Sequence, residues 1–454
     1  MLKFVLLMLV ALVFVSTSNA QLLKELEQDR FAEAYLIKTD TSDDITINLV
    51  ILSGEFDNKG AEGMAHFVEH LAWYNAFPQV DNTFTGHNNA WTYRETTHFK
   101  YRTQRVNMDK ALNQLNGIFK PLSVSEEFVA GEIGVVLREA DFRANDFGVH
   151  PSWLAISSKL HGKAALARNV LGSRSNIKNF TYAKAKAYHQ QFYKPSNTIL
   201  TITGNLTDLE AVAYLNASNL GVVSAPEEPT QQTSNFDAGV ALTYDPLPDE
   251  AFALELEDDR EAAQDRLLYS KVFKVDRKED ILQWVVQAEI AQGILNSAMD
   301  GGLLKPLHFS EFLAGSVSVN MYPLDKSNMS LSISLLPDKD VGLDELATAL
   351  EKELERLGTA SLDVNTFLRV KNRRLSYYGY YWNTASFEES TMLSMTSFRR
   401  KPKPMYDIYD DVELVEYDDF QQLWGKIFGE GRVVISKLRR PENLSAKSAE
   451  EVGK

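Results

Sequence analysis

Apolar residues recur along this chain in two alternating regimes, and the order of regimes then repeats. Short runs with a period of two predict strands at 33–38, 45–52 and 197–203. Apolar positions three and four apart predict helices at 61–74, 107–119, 125–146, 152–162, 181–193 and 207–219. GHNNAWTYRETTHFKYRT, residues 86–103, alternates polar and aromatic residues and has strand character. The second half has a parallel layout, with strands at 265–274, 314–321, 328–335 and 432–437. Its helices are expected at 281–298, 343–357, 362–378, 385–396 and 417–427. Between the halves, VSAPEEPTQQTSN (223–235) is rich in Pro, Gln, Ser and Thr and has the composition of a linker. The expected organisation is a first domain at 21–222, a linker at 223–240, a second domain at 241–440 and a polar, disordered tail at 441–454.

The first twenty residues, MLKFVLLMLVALVFVSTSNA, stand apart. Lys3 gives a positive start, Phe4 to Val15 is unbroken apolar sequence, and Ser18-Asn19-Ala20 places small residues at a cleavage site. This pattern predicts a secretory signal peptide, with Gln21 as the mature start and a bacterial periplasm or exterior as destination. The twelve-residue run is too short for a stable membrane anchor. With no cysteine in 454 residues, a thiol nucleophile, a disulfide framework and a lipid-modified terminus are all excluded. A net charge of −15 without a long Lys/Arg run argues against a nucleic-acid partner.

Candidate chemistry concentrates at residues 66–70, His-Phe-Val-Glu-His. On a helix His66 and His70 lie one turn apart on one face, so both imidazoles can reach one ion, with the Glu69 carboxylate beside them. Two imidazoles and a free carboxylate suit a metal-assisted hydrolase: ligands for zinc and a base for water. The order is the inverse of the commoner H-E-x-x-H peptidase motif. Alone, the pentapeptide is equally the pattern of a solvated helix face.

A catalytic zinc ion takes three protein ligands and leaves one position open. EEFVAGEIGVVLREADFRAND, residues 126–146, predicts an amphipathic helix with Glu132 and Glu139 two turns apart on one face. Glu139 can complete a His-His-Glu site, and Glu132 can support a ligand imidazole from behind. Two glutamates so spaced are also common on an ordinary acidic helix.

Taken in order, GAEGMAHFVEHLAW, NNAWT, GEIGVVLREA and YKPSNTILTITGNLTDLEAV resemble the pitrilysin/insulinase-type zinc peptidases over about residues 30–222. The resemblance implies an α+β chain of two homologous α/β-sandwich domains, of the pitrilysin/mitochondrial processing peptidase type. Each would hold a mostly antiparallel sheet with helices packed on it. It implies His66, His70 and Glu139 as ligands of one Zn2+ per chain, Glu69 as general base and Glu132 as the supporting glutamate. Asn89 and Ala90 match the edge strand on which the family lays out peptide substrate as an added β-strand.

The implied function is a zinc endopeptidase for peptides or unfolded polypeptides. With two domains the chain would supply half of a four-domain chamber, hence a homodimer or a heterodimer with a related chain. The alternative is a weakly active or non-catalytic peptide-binding subunit. One departure favours it: where the family often carries an Arg and, seven residues later, a Tyr, the segment LHFSEFLAGSVSV (307–319) holds His308 and Gly315. The helix ILQWVVQAEIAQGILNSAM, in the slot of the zinc helix, has no histidine, which excludes a second metal site of this kind. His87 and His98, near the strand edge, can face a cleft, and YYGYYW (377–382) is either a peptide-binding wall or a packed helix end.

Overall fold

The computed structural model describes residues 22–40, 42–58, 60, 62–78, 88–144, 149–161, 167–222, 252–258, 264–275, 281–324, 328–381, 384–397 and 402–440. The expected signal peptide, the 223–240 linker, the 441–454 tail and His87 lie outside these residues.

The first half builds a sheet from β1 (Leu23–Glu25), β2 (Glu33–Lys38), β3 (Asp44–Ile51), β4 (Asn89–Thr92), β5 (Thr97–Gln104) and β6 (Thr198–Gly204). Its six strands run in the order β1-β2-β6-β3-β5-β4. Only β2 and β6 pair in parallel; the other neighbours are antiparallel. The second half uses β7 (Phe252–Asp258), β8 (Arg266–Lys274), β9 (Ala314–Pro323), β10 (Asn328–Pro337) and β11 (Arg432–Leu438). Its order is β7-β11-β8-β10-β9, again with one parallel pair, β7 and β11. Without β1, the two sheets have the same order and the same strand directions, as expected of a repeated α+β unit. Over its described residues, the stretch of strand character at 86–103 is a hairpin, β4 and β5, turned at Tyr93-Arg94-Glu95-Thr96.

The helices of the first half are α1 (Met64–Ala76), α2 (Met108–Leu115), α3 (Glu126–Ala144), α4 (Val149–His161), α5 (Arg174–Lys178), α6 (Tyr182–Phe192) and α7 (Asp208–Ala217). Those of the second are α8 (Ile281–Leu295), α9 (Leu343–Thr359), α10 (Val364–Tyr381), α11 (Ala385–Ser397), α12 (Met405–Glu413) and α13 (Tyr417–Phe428). β1, β7, α5 and α12 are elements that periodicity did not predict.

The central strands are buried on both faces, so successive side chains enter different cores. In β3, Ile45, Ile47, Leu49 and Ile51 join α1, α2 and α6 in the core of the first half. The opposite face presents Val50 with Tyr35, Ile37 and Ile199, and Met392 of α11, from the other half, covers it. Asn48 and Lys100 stand opposite each other on β3 and β5, and both donate to Glu389 Oε1 of α11, at 3.3 and 2.7 Å. The exchange is reciprocal. Ile156 and Leu160 of α4 cover Leu268, Val272 and Val434 on the back of the second sheet. Each sheet is thus closed by a helix of the other half, while α1 and α3 remain on the far face of the first sheet.

Candidate metal centre

Helix α1 is apolar nearly all round: Met64, Ala65, Phe67, Val68, Leu71 and Ala72 are buried. A helix so embedded is held in rotation by its core, and its few polar groups are placed accordingly. Its start is clamped. Gly63 has φ +87°, and a Cβ there would lie 2.5 Å from Leu171 O; Gly172, at φ +83°, meets Glu62 O in the same way at 2.5 Å. The buried Glu55 accepts from Gly63 N at 3.0 Å and pairs with Arg168, whose Nη2 and Nε donate at 2.6 and 2.9 Å. Nothing local in the sequence announces this clamp, because its residues are joined only by the fold.

The structure brings His66, His70 and Glu139 together. His66 Nε2 and His70 Nε2 are 3.3 Å apart, and Glu139 Oε2 is 3.6 Å from each. Donors on a tetrahedral zinc ion at about 2.0–2.1 Å stand about 3.4 Å from one another. The three atoms therefore form a triangle of the right size for such an ion, with a fourth direction open. Glu132 Oε1 meets His70 Nδ1 at 2.6 Å, so the imidazole donates from Nδ1 and keeps Nε2 for the triangle. His66 Nδ1 is buried without a hydrogen-bond partner among the described residues.

Electrostatics separate the two imidazoles. Burial, with the charge of His70, pushes His66 down to about 3, which keeps it neutral and able to ligate. Burial also opposes charge on His70, but its hydrogen bond to Glu132 and the charges of Glu69, Glu139 and Glu132 outweigh it and lift it to about 9. Burial pushes Glu69 up to about 7, with Glu139 adding to the effect and His70 and Thr92 opposing it. A carboxyl poised near neutrality can exchange protons in either direction.

Glu69 is tethered to the neighbouring strand. Thr92 Oγ1, on β4, donates to Glu69 Oε2 at 2.8 Å. Thr92 was overlooked as a site residue although it ends the same NAWT strand as Asn89 and Ala90; a hydroxyl on the edge strand beside the metal helix was the available signal. Strand β4 is the outer strand of the sheet. Its residues Asn89 to Thr92 line a cleft of about 1020 Å³, together with His66, Glu69 and His70 of α1 and Glu132 and Glu139 of α3. Among the described residues, the outer edge of β4 and the triangle of His66, His70 and Glu139 therefore share one cavity.

Other expected candidates lie elsewhere. His98 is buried, stacked on Trp91 at 5.1 Å and bonded through Nε2 to Thr96 Oγ1 at 2.9 Å, so it does not face the cleft. His308 Nδ1 donates to Ala314 O at 2.6 Å, which ties it to its own loop, and neither it nor Gly315 lines the cleft. At the end of α10, Tyr378 is buried against Glu289 at 2.6 Å, while Tyr377, Tyr380 and Tyr381 form a partly exposed ring cluster with Phe387 away from the cleft.

Comparison with known proteins converges on the same segments. Residues 34–147 match the family model described as Insulinase (Peptidase family M16), and residues 179–374 match Peptidase M16 inactive domain. An uncharacterized zinc protease of Rickettsia bellii is 29% identical over 176 residues, 37% of this chain and 42% of that protein. The zinc protease PqqE of Helicobacter pylori is 24% identical over 200 residues, 41% of this chain and 45% of that protein. The matches thus span less than half the length of these relatives. Among solved structures, the periplasmic protease PqqL of Escherichia coli superposes with a TM-score of 0.69 at 16% identity, over 94% of this chain and 48% of that one. That likeness is one of fold. With M16 family models matched over residues 34–147 and 179–374, together more than half of its length, the chain belongs to peptidase family M16.

Proposed function

We propose that the chain is a zinc-dependent endopeptidase acting on peptides or unfolded polypeptides. The observation that carries this reading is the triangle of His66, His70 and Glu139 donors at zinc spacing, in one cleft with the buried Glu69 and an open strand edge. In this reading His66, His70 and Glu139 hold the ion, and Glu132 fixes the tautomer of His70. Bound there, zinc supplies Lewis acidity toward a scissile carbonyl and toward water. Asn89 and Ala90 present backbone groups that align an extended peptide as a further strand. Glu69, held by Thr92, takes a proton from the attacking water and returns it to the leaving amine.

A paired assembly belongs to the same proposal. The chain corresponds in extent to 48% of PqqL, so a second copy or a related chain would supply the other half. Secretion rests on the N-terminal signal pattern and accords with the periplasmic neighbour; no described helix is long and apolar enough to cross a membrane. The non-catalytic partner role is the second reading, favoured by His308 and Gly315 standing outside the cleft.

The deciding experiment is digestion of an unstructured peptide mixture by the mature protein and by Glu69→Gln, read by mass spectrometry with zinc measured in both. Cleavage by the native chain alone, with zinc in each, is the expected result. A zinc-loaded native protein that cleaves nothing would overturn the self-sufficient enzyme in favour of the partner role.

A further inference from the structure

The cleft wall contributed by α3 carries more than the metal donors. Glu132, Val135, Glu139, Phe142 and Arg143 recur at the spacing of one helix face, and all five line the cleft, as does Arg138. Arg138 and Arg143 are exposed to the cavity, and neither makes an ion pair or side-chain hydrogen bond with a described residue. The neighbouring charges are already committed. Arg168 is held by Glu55, Asp141 by Arg174, and Glu132 by His70. Among the described residues that line the cleft, Arg138 and Arg143 are the side chains of permanent positive charge.

Their setting favours recognition of a carboxylate. Guanidinium groups bind carboxylates through paired, planar hydrogen bonds. Aromatic side chains share the wall with them: Phe142 is 74% exposed and Tyr74 stacks on Phe128 at 3.7 Å between ring centres. A bound peptide would displace water from this wall and strengthen a charge pair formed there. Arg143 lies one helical turn beyond Glu139, so a side chain reaching it belongs to a residue close to the bond under attack. Gly134 leaves room for the Arg138 side chain to fold along the helix; an added Cβ there would stand 3.5 Å from Arg138 Nη1.

We propose that Arg138 and Arg143 make this cleft selective for peptides with an acidic side chain near the scissile bond. The proposal deepens the peptidase reading and rests on it for the word scissile, but not for the binding preference. The test uses matched peptides that place Asp or Asn at each position flanking one cleavable bond. Two readouts are taken: the Asp-to-Asn ratio of kcat/KM for the native protein, and the same ratio of affinities for fluorescein-labelled peptides on Glu69→Gln. At the favoured position each ratio is expected to be about tenfold, and to fall to about one in proteins also carrying Arg138→Gln and Arg143→Gln. Both arginines are exposed, so the substitutions leave the core untouched. A ratio of one at every position in the native protein, or a preference that survives the double substitution, would overturn the proposal. If the native protein cleaves neither peptide, the peptidase reading fails, while the affinity ratio on Glu69→Gln still decides the role of the arginines.

Discussion

Two helix pairs occupy equivalent places in the two halves and have opposite designs. In the first half, α1 and α3 face each other across His66, Glu69, His70, Glu132 and Glu139, and a cleft opens between them. In the second, α8 and α10 pack directly. A Cβ added at Gly293 of α8 would come within 2.8 Å of Val370 Cγ1 on α10, and Val286, Ile290 and Ile294 continue into one apolar core. Across this seam Tyr378 of α10 donates to Glu289 of α8 at 2.6 Å. The same topology therefore supports a charged cavity or a closed seam, and the difference lies in whether the facing side chains repel close approach or invite it. Three carboxylates and two imidazoles cannot be packed dry, because each buried charge needs a partner. A glycine facing a valine needs only contact.

The contrast is most easily broken at the ligands. His66→Ala should reduce bound zinc from one ion per chain to none at micromolar metal, measured by atomic emission on protein purified with zinc. Retention of the ion by this variant would place the metal elsewhere and end the account of the triangle. Substitution of Glu289 by Gln, in the equivalent helix of the second half, should leave zinc content unchanged.

A smaller effect is expected at Glu132. Glu132→Gln preserves shape but removes the charge that orients His70, and such supporting groups are worth about 10–100-fold in metal affinity. Competition with a chelator measures it. Unchanged affinity would reduce Glu132 to a surface acid.

The pH dependence follows from the same pair. His70 is held at about 9 in the metal-free fold, so at neutral pH it carries a proton that ligation must expel. Zinc affinity should therefore rise about tenfold per pH unit between roughly pH 7 and 9 and level off above. The sign for stability is the reverse. A histidine raised above its ordinary value of 6.5 stabilises the metal-free fold fully below that pH, and the contribution is lost as pH passes through about 9. Glu132→Gln should flatten the affinity slope near pH 8, which ties the two measurements to one hydrogen bond.

Most of the grouping of His66, His70 and Glu139 was legible because it follows from local pattern: two histidines one turn apart, and a glutamate on the next suitable amphipathic helix. Glu132 was legible for the same reason, sharing a face with Glu139. What stayed hidden is what tertiary structure alone brings together. Thr92 reaches Glu69 across a strand-to-helix contact, and Glu55 reaches Arg168 across 113 positions of sequence. The covering of each sheet by α4 or α11 of the other half left only ambiguous traces, since a helix buried between sheets reads much like any amphipathic helix. Strand β7 is a different case. Its sequence Phe-Ala-Leu-Glu-Leu-Glu-Asp alternates with period two, but three acids in seven residues weaken the strand signal. Helix α12 follows Lys-Pro-Lys-Pro, and two prolines within four residues mask the start of a helix.

The finest test of the two designs uses one substitution in both. Gly131 lies within α3 on the exposed side, and an added Cβ there meets nothing within 4 Å. Gly131→Ala should therefore stabilise the fold by about 0.5–1 kcal/mol, since alanine loses less backbone freedom on folding. Gly293→Ala offers the same gain in principle, but its methyl must displace Val370, which is 3% exposed and has no free space to enter. Overpacking of this kind costs about 1–3 kcal/mol, enough to reverse the sign. Chemical denaturation of both variants reads the difference directly. Opposite signs would show that the seam between α8 and α10 is closed by backbone proximity. A stabilised Gly293→Ala would mean that the second half keeps room between its helices, and that the absence of metal chemistry there is a matter of side-chain identity alone.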